Sequence, residues 1–306
     1  MRESRRGDFP FWLLLPLLVL NFRARKFFSI LSEDNAAIRA LAHTYKEFCV
    51  PCGILNSYHL TFMSVVKHTD DAQMNHLIAA LPPDEFNRLK SSLEPVSLAL
   101  GEVIYESGEQ LEYIFFPTTA IISLLYIMEN GSTAEIGMAG NDGLVGIALY
   151  MGGSTTPSRA VVQSAGNAFR MPSRALNDEF SLGGVFQKIL LRYTQSLMTQ
   201  ISQTAVCNRL HSVEKQLCRW LVINHDLLRT NKLIMTHDLI ANMLGVRREG
   251  VSIAAGHLQQ QGLIKYVRGT ITMLDRDALE LAACECYRVV KDEYDRLLGK
   301  YVSQNR

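Results

Sequence analysis

A chain of 306 residues, 48% hydrophobic and 20% charged, has the composition of a globular protein with room for two or three cored domains, which excludes a fibrous, collagenous or wholly disordered chain. The formal net charge is only +1, so any affinity for a polyanion must come from uneven distribution of charge. Six cysteines, with none between residues 74 and 206, exclude a secreted disulfide framework.

The chain opens with Arg2, Arg5 and Arg6, followed by the apolar run Phe9 to Leu20. This start is similar to a signal peptide, but the run is short for a bilayer span and holds Pro10 and Pro16. Arg23, Arg25 and Lys26 stand where small cleavage-site residues would be needed. Cys49-Val50-Pro51-Cys52 is a lone CxxC without a flanking strand–helix pattern, so no metal or redox role is assigned to it. Residues 1–73 are therefore expected to be a disordered or mis-annotated extension, with translation starting at Met63 or Met74. No membrane partner is expected, and the location expected is cytoplasmic.

Residues 75–92 suit short helices, with Pro82-Pro83 opening the second. From Glu94 to about Met171 the pattern changes to short strands, among them Val96–Leu100, Tyr113–Phe116, Ile121–Ile127 and Ala160–Gln163. Ser107-Gly108, Asn130-Gly131, Asn141-Asp142-Gly143 and Gly152-Gly153 separate them, and Asn130-Gly131 between apolar runs is a strong hairpin signal. Residues 74–183 are thus expected to form an all-β barrel or roll.

Residues 184–208 lack proline and interior glycine, and Leu190, Leu197 and Thr204 recur every seven residues. A helix of about 25 residues is roughly 37 Å long, more than one small β domain covers. The expectation is a dimerisation helix buried against a second copy; the alternative is a helix lying along its own β domain. Cys207 and Cys218 fall in apolar helical patterns and read as small core residues. Cys284-Glu285-Cys286 is placed on a helix, where adjacent side chains diverge by about 100°, so no metal is assigned to the pair.

Residues 236–264, THDLIANMLGVRREGVSIAAGHLQQQGLI, carry the clearest functional signal. Ala241, Gly245 and Val251 have the spacing of a helix-turn-helix: a small residue for close helix approach, a glycine free to take positive φ in the turn, and an apolar residue facing the core. The second helix then presents Arg247, Arg248, Glu249 and Ser252 at its start, where a recognition helix meets base edges. Thr236 and His237 open the first helix, at a position suited to a phosphate. Lys265 to Leu274 alternates across Arg268-Gly269-Thr270, a hairpin or wing whose tip brings Arg268 and Thr270 to a phosphate. Residues 209–276 hold 10 Lys/Arg against 5 Asp/Glu, whereas residues 74–183 hold 5 against 12, so the positive block coincides with this motif.

A β-roll, a long helix and a winged helix-turn-helix in that order resemble the cyclic-AMP receptor protein/Fnr family of bacterial transcription regulators. The resemblance rests most on THDLIANMLGVRREGVS and extends to Gly101-Glu102-Val103-Ile104-Tyr105-Glu106-Ser107-Gly108-Glu109. It implies an α+β chain with an N-terminal cyclic-nucleotide-binding-like β-roll (74–183), a long dimerisation helix (184–208) and a C-terminal winged helix-turn-helix domain (209–306). It implies a homodimeric, sequence-specific DNA-binding regulator, with RNA polymerase as a further partner. Arg248 and Glu249 fall on the family's base-reading positions, while Ile253 replaces its second base-reading arginine, so the operator should differ from the best-known one.

The effector pocket implied by the resemblance maps onto Gly146 and the run Ser158-Arg159-Ala160. Ile147 stands where nucleotide-binding members carry a ribose-binding glutamate, and the arginine is shifted by one place, which on a strand turns it to the other face. Arg159 either reaches an anionic ligand or pairs with a neighbouring acid. Neither cyclic AMP nor an iron–sulfur cluster is expected, and the effector is left unknown. An enzyme is not expected, since no Ser-His-Asp group, phosphate loop or metal quartet emerges from the sequence. The competing reading is a ligand-binding or protein-interaction module that uses its helix-turn-helix only for docking.

Overall fold

A computed structural model of the chain describes residues 72–302. The expectations for the apolar N-terminal run and for Cys49/Cys52 lie outside these residues. The boundary drawn at residue 73 falls inside a short 3-10 turn, Ala72–Met74, whose Ala72 is buried. The next residue, Asn75, is buried too: its amide donates to the carbonyls of Pro117 and Gly143, and its Oδ1 caps helix α1 (His76–Ala79).

Helix α2 (Pro83–Leu89) leads into seven antiparallel strands: β1 (Glu94–Leu98), β2 (Val103–Tyr105), β3 (Tyr113–Pro117), β4 (Ile121–Ile127), β5 (Thr133–Ala139), β6 (Arg159–Ser164) and β7 (Gly166–Pro172). They form two sheets, ordered β1-β7-β3 and β2-β6-β4-β5. Alternation decides which side chains enter the roll, as in β6, where Ala160 and Val162 are buried in the roll core on either side of the half-exposed Val161. The Asn130-Gly131 signal marks the β4–β5 connection, where Gly131 has φ +81° and Asn130 Oδ1 accepts from the Ser132 N–H. Ile114, Phe116, Ile122, Phe169 and Met171 fill the centre.

Helix α3 (Ser173–Ser181) precedes the long helix α4 (Val185–Leu210), 26 residues against the 25 expected. Its N-terminus is capped from a distance: the Glu85 carboxylate on α2 accepts from the N–H groups of Val185 (2.9 Å) and Phe186 (2.7 Å). These are free donors at the positive end of the helix dipole.

The seven-residue repeat needs correction. Leu190, Leu197 and Thr204 are buried in the chain's own structure, and Phe186, Ile189 and Tyr193 join the β-roll core. The outward face carries Leu191, Gln195, Met198, Ser202, Ala205 and Val206, with Met198 60% exposed. Periodicity located an apolar stripe but could not say which of two neighbouring stripes this chain covers by itself.

Helix α5 (Val213–Leu228), strand β8 (Lys232–Ile234), helices α6 (His237–Leu244) and α7 (Arg248–Gln260), and strands β9 (Ile264–Val267) and β10 (Thr270–Met273) follow. They share a second core around Trp220, Leu221, Ile240, Val251, Leu258 and Ile271. Strand β8 adds to the hairpin, giving the order β8-β10-β9. Ile121, Leu125 and Met138 of the β-roll also enter this core, so the two lobes are joined by apolar packing.

Helix α8 (Arg276–Ala282) ends at Ala283, and α9 (Cys286–Val302) starts three residues later. The continuous helix expected through Cys284-Glu285-Cys286 is therefore a corner. Helix α9 then returns antiparallel along α4, where the Leu297 carbonyl accepts from Arg192 Nη1 at 2.9 Å, and Leu297 and Leu298 join the β-roll core.

A buried polar chain crosses between the lobes. Ser123 Oγ lies 2.5 Å from Glu135 Oε2 and 2.6 Å from Gln163 Oε1. Gln163 Nε2 donates to Asn224 Oδ1, Asn224 Nδ2 donates to the Trp220 carbonyl, and Trp220 Nε1 donates to Glu135 Oε1 at 3.2 Å. Ser123 has one hydroxyl hydrogen for two acceptors. A protonated Glu135 resolves this by donating to Ser123 Oγ, leaving the hydroxyl to donate to Gln163. Burial pushes the Glu135 carboxyl up to about 7, in agreement with that arrangement.

Candidate nucleic-acid interface

The turn between α6 and α7 depends on Gly245, which takes φ +65° and whose added Cβ would lie 3.3 Å from the Ala134 Cβ. Ala241 and Val251 are buried between the helices, as the motif requires. Thr236 is the N-cap of α6, its hydroxyl accepting from the Leu239 N–H at 3.3 Å. Arg247 holds the N-cap position of α7 without a side-chain cap bond, so the first N–H groups of α7 are left for an outside acceptor.

Arg247, Arg248, Glu249, Ser252 and Ile253 are all exposed around the first turns of α7. Ile253 is 61% exposed, an aliphatic side chain in water with room for a thymine methyl. Arg248 Nε sits 3.3 Å from Asp238 Oδ1, an open pair that holds the guanidinium over the start of α6. His237 is more enclosed than the sequence implied. Its ring stacks on Tyr266 at 4.1 Å, and its Nδ1 lies 2.9 Å from Ser252 Oγ. Burial and then the nearby Arg248 lower its pKa, with Asp238 opposing, which favours a neutral ring. His237 therefore positions Ser252 and the wing more directly than it adds charge.

In the wing, Val267 pairs with Thr270, so Arg268 and Gly269 form a two-residue turn with φ of +47° and +77°. Positive φ at both positions is the type I′ geometry that suits a twisted hairpin. The Gly269 carbonyl accepts from the Met235 N–H at 2.8 Å, which brings the tip beside Thr236. Arg268 is exposed and Thr270 half-buried. The eight residues expected at a DNA surface thus come from α6, α7 and the wing, with the wing tip next to the α6 cap.

The candidate effector residues are split between the sheets. Gly146 has φ +113° and begins the 3-10 turn Ile147–Leu149, packed against the backbone of Tyr113 and Ile114 on β3. Ser158 and Ala160 are buried at the start of β6, and the Ser158 hydroxyl pairs with Thr156 Oγ1 at 3.0 Å. Of the two alternatives for Arg159, the structure shows pairing with an acid, its Nε lying 3.1 Å from Glu106 Oε2. The sequence reading missed both the buried Glu135 chain and the gathering of Cys207 and His211 with Cys284 and Cys286. The local signs of the second were the Cys-x3-His spacing at a helix end and the Cys284-Glu285-Cys286 pair, which is discounted when placed on a continuous helix.

Two family models match in the order in which the lobes occur. One, described as a cyclic nucleotide-binding domain, covers residues 95–181; the other, described as a Crp-like helix-turn-helix domain, covers residues 215–282. The chain belongs to the Crp/Fnr family. This regulator shares its fold with FixK2 from Bradyrhizobium japonicum (TM-score 0.55, 16% identity, covering 63% of this chain and 98% of that one). It is also similar to a CRP-family transcriptional regulator from Thermus thermophilus (TM-score 0.52, 18% identity, covering 61% and 96%). A CRP/FNR-family regulator from the same organism gives a TM-score of 0.50 at 19% identity, covering 62% and 98%. No curated protein matches the chain. The protein is a DNA-binding transcription regulator with a β-roll lobe ahead of its helix-turn-helix. Among the described residues no helix is long and apolar enough to cross a membrane.

Proposed function

We propose that this regulator acts as a cytoplasmic homodimer that reads two half-sites of duplex DNA and contacts RNA polymerase, under control of a ligand sensed by its β-roll. The observation that carries the reading is the exposed set Arg247, Arg248, Glu249, Ser252 and Ile253 on one helix start, flanked by Thr236 and the Arg268 tip. Arg248 would fork onto guanine O6 and N7, and Glu249 would accept from cytosine N4. Arg247, Arg268, Thr236 and Thr270 would hold phosphates, with His237 orienting Ser252.

The outward stripe of α4, with Leu191, Met198, Val206 and Leu210 exposed, supports pairing of two copies along that helix. Gly146, Ser158, Arg159 and Ala160 remain the effector candidates. Engagement of Arg159 by Glu106 and the aliphatic Ile147 favour a ligand other than cyclic AMP. Ligand binding would act by shifting the population toward the dimer geometry that spaces the recognition helices for DNA.

The test is selection of binding sites from random duplexes, followed by mobility shifts with wild type and Arg248→Ala. Loss of one bidentate pair should weaken specific binding by about 1–3 kcal/mol, roughly 5- to 150-fold, and relax preference at one base pair. Unchanged affinity and an unchanged selected motif would refute the base-reading assignment.

A further inference from the structure

Two stretches far apart in the sequence bring four metal-ligating side chains together at the C-terminal end of α4. Cys207 lies in the last turn of α4, and His211 follows four residues later at the elbow before α5. Cys284 and Cys286 come from the corner between α8 and α9. The break there, with Glu285 between them, lets both thiols face the same point instead of diverging around a helix. The three Sγ atoms and a ring nitrogen of His211 all lie within 4.8 Å of one another. Cys207 Sγ is 3.4 Å from Cys284 Sγ, and Cys286 Sγ is 3.4 Å from His211 Nδ1. All three cysteines are buried.

This spacing fits one ion. Ligands at about 2.3 Å for sulfur and about 2.0–2.1 Å for nitrogen, at tetrahedral angles, stand roughly 3.8 Å apart for two sulfurs and 3.6 Å for sulfur and nitrogen. The S–S and S–N contacts of 3.4 Å lie within about 0.4 Å of those values, and every pair stays within 4.8 Å. A four-iron cluster would spread its thiolates further, since each sits on its own iron. A soft donor set of three sulfurs and one imidazole in a closed pocket selects zinc in its structural, fully protein-ligated form.

The surroundings match that role. With Nδ1 turned to the thiols, His211 Nε2 is directed to Glu285 Oε1 at 3.5 Å, the carboxylate–histidine–metal arrangement that fixes the ring. Gln203 Nε2 donates to Cys286 Sγ at 3.2 Å. Three thiolates around a divalent ion leave one negative charge, and burying it needs a partner. The Arg219 guanidinium is buried beside Cys207, with Nη1 bonded to Thr204 Oγ1 and Nε without a hydrogen-bond partner.

We propose that Cys207, His211, Cys284 and Cys286 bind one zinc ion, which staples the end of the long helix to the α8–α9 corner. The ion would fix the elbow Leu210–Ser212, from which the helix-turn-helix lobe continues. The binding claim does not depend on which DNA the protein reads.

The test uses the full chain, reduced and stripped with a chelator, then titrated with cobalt(II) and zinc(II). One cobalt per chain should produce the visible absorption of a tetrahedral site with sulfur-to-cobalt charge transfer, and zinc should displace it. Cys284→Ser and Cys286→Ser should each abolish that spectrum. His211→Cys should keep a tetrahedral spectrum with stronger sulfur character, and Glu285→Gln should weaken affinity about 10- to 100-fold. Cys218→Ser and the double change Cys49→Ser, Cys52→Ser should leave the site intact. If a ligand variant fails to fold, alkylation of the wild type decides: zinc should protect Cys207, Cys284 and Cys286 together. Absence of tetrahedral cobalt binding, a spectrum that survives Cys284→Ser, or alkylation unaffected by zinc would each overturn the proposal.

Discussion

Glu135 is a carboxyl held between two lobes with a serine, an indole and a nearby arginine as neighbours. Its folded pKa of about 7 exceeds the ordinary value of 4.5, so the folded state holds a proton that the unfolded state releases. Stability from this group is therefore complete below about pH 4.5, declines as pH rises, and is lost above about 7. A difference of about 2.5 pKa values corresponds to about 3 kcal/mol, a large share of a typical domain's stability. Glu135→Gln keeps the shape, donates to Ser123 Oγ through its amide and accepts from Trp220 Nε1, but has no proton to lose. Urea unfolding of reduced wild type and variant, from pH 5 to 8.5, should show wild type losing stability with pH and the variant holding level with respect to this group. The gap between the two should change by about 2.5 kcal/mol across that range in the variant's favour, since part of the loss already lies below pH 5. Parallel pH profiles for the two proteins would refute a protonated Glu135 in the seam.

Arg268→Ala should weaken binding to all duplexes alike and reduce the slope of log affinity against log salt by about 1, measured by fluorescence anisotropy. Sequence-dependent loss would instead make the wing a base reader. Met198→Glu places a charge on the outward stripe of α4 and should shift sedimentation from dimer to monomer with circular dichroism unchanged; a persistent dimer would place the interface elsewhere. Gly245→Val forces a β-branched residue to φ +65° beside Ala134 and should cost about 2 kcal/mol in thermal or urea unfolding. A neutral outcome would mean that the turn readily adopts another conformation.

Much of the regulator was legible from residues near one another in the chain. Ala241, Gly245 and Val251 set the helix-turn-helix because helix period and turn chemistry act over a few residues. Asn130-Gly131 and Arg268-Gly269 marked their hairpins for the same reason. The positions of Arg247, Arg248 and Glu249 on an exposed helix start follow from that local geometry.

Where local rules ran out, the missing information was spatial. Both the inward and the outward stripe of α4 are spaced like a packing face, and only the arrival of α9 and the β-roll decided that Leu190 and Leu197 belong inside this chain. Cys207 and Cys284 are 77 residues apart, and a break between two helices, not a motif, puts their sulfurs 3.4 Å from each other. Glu135 looks like any strand carboxylate until α5 closes over it with Trp220 and Asn224. Backbone conformation is set mainly by immediate neighbours, and the chain's order records it; burial and the meeting of polar groups depend on which surfaces are brought face to face, which is fixed only when the lobes close.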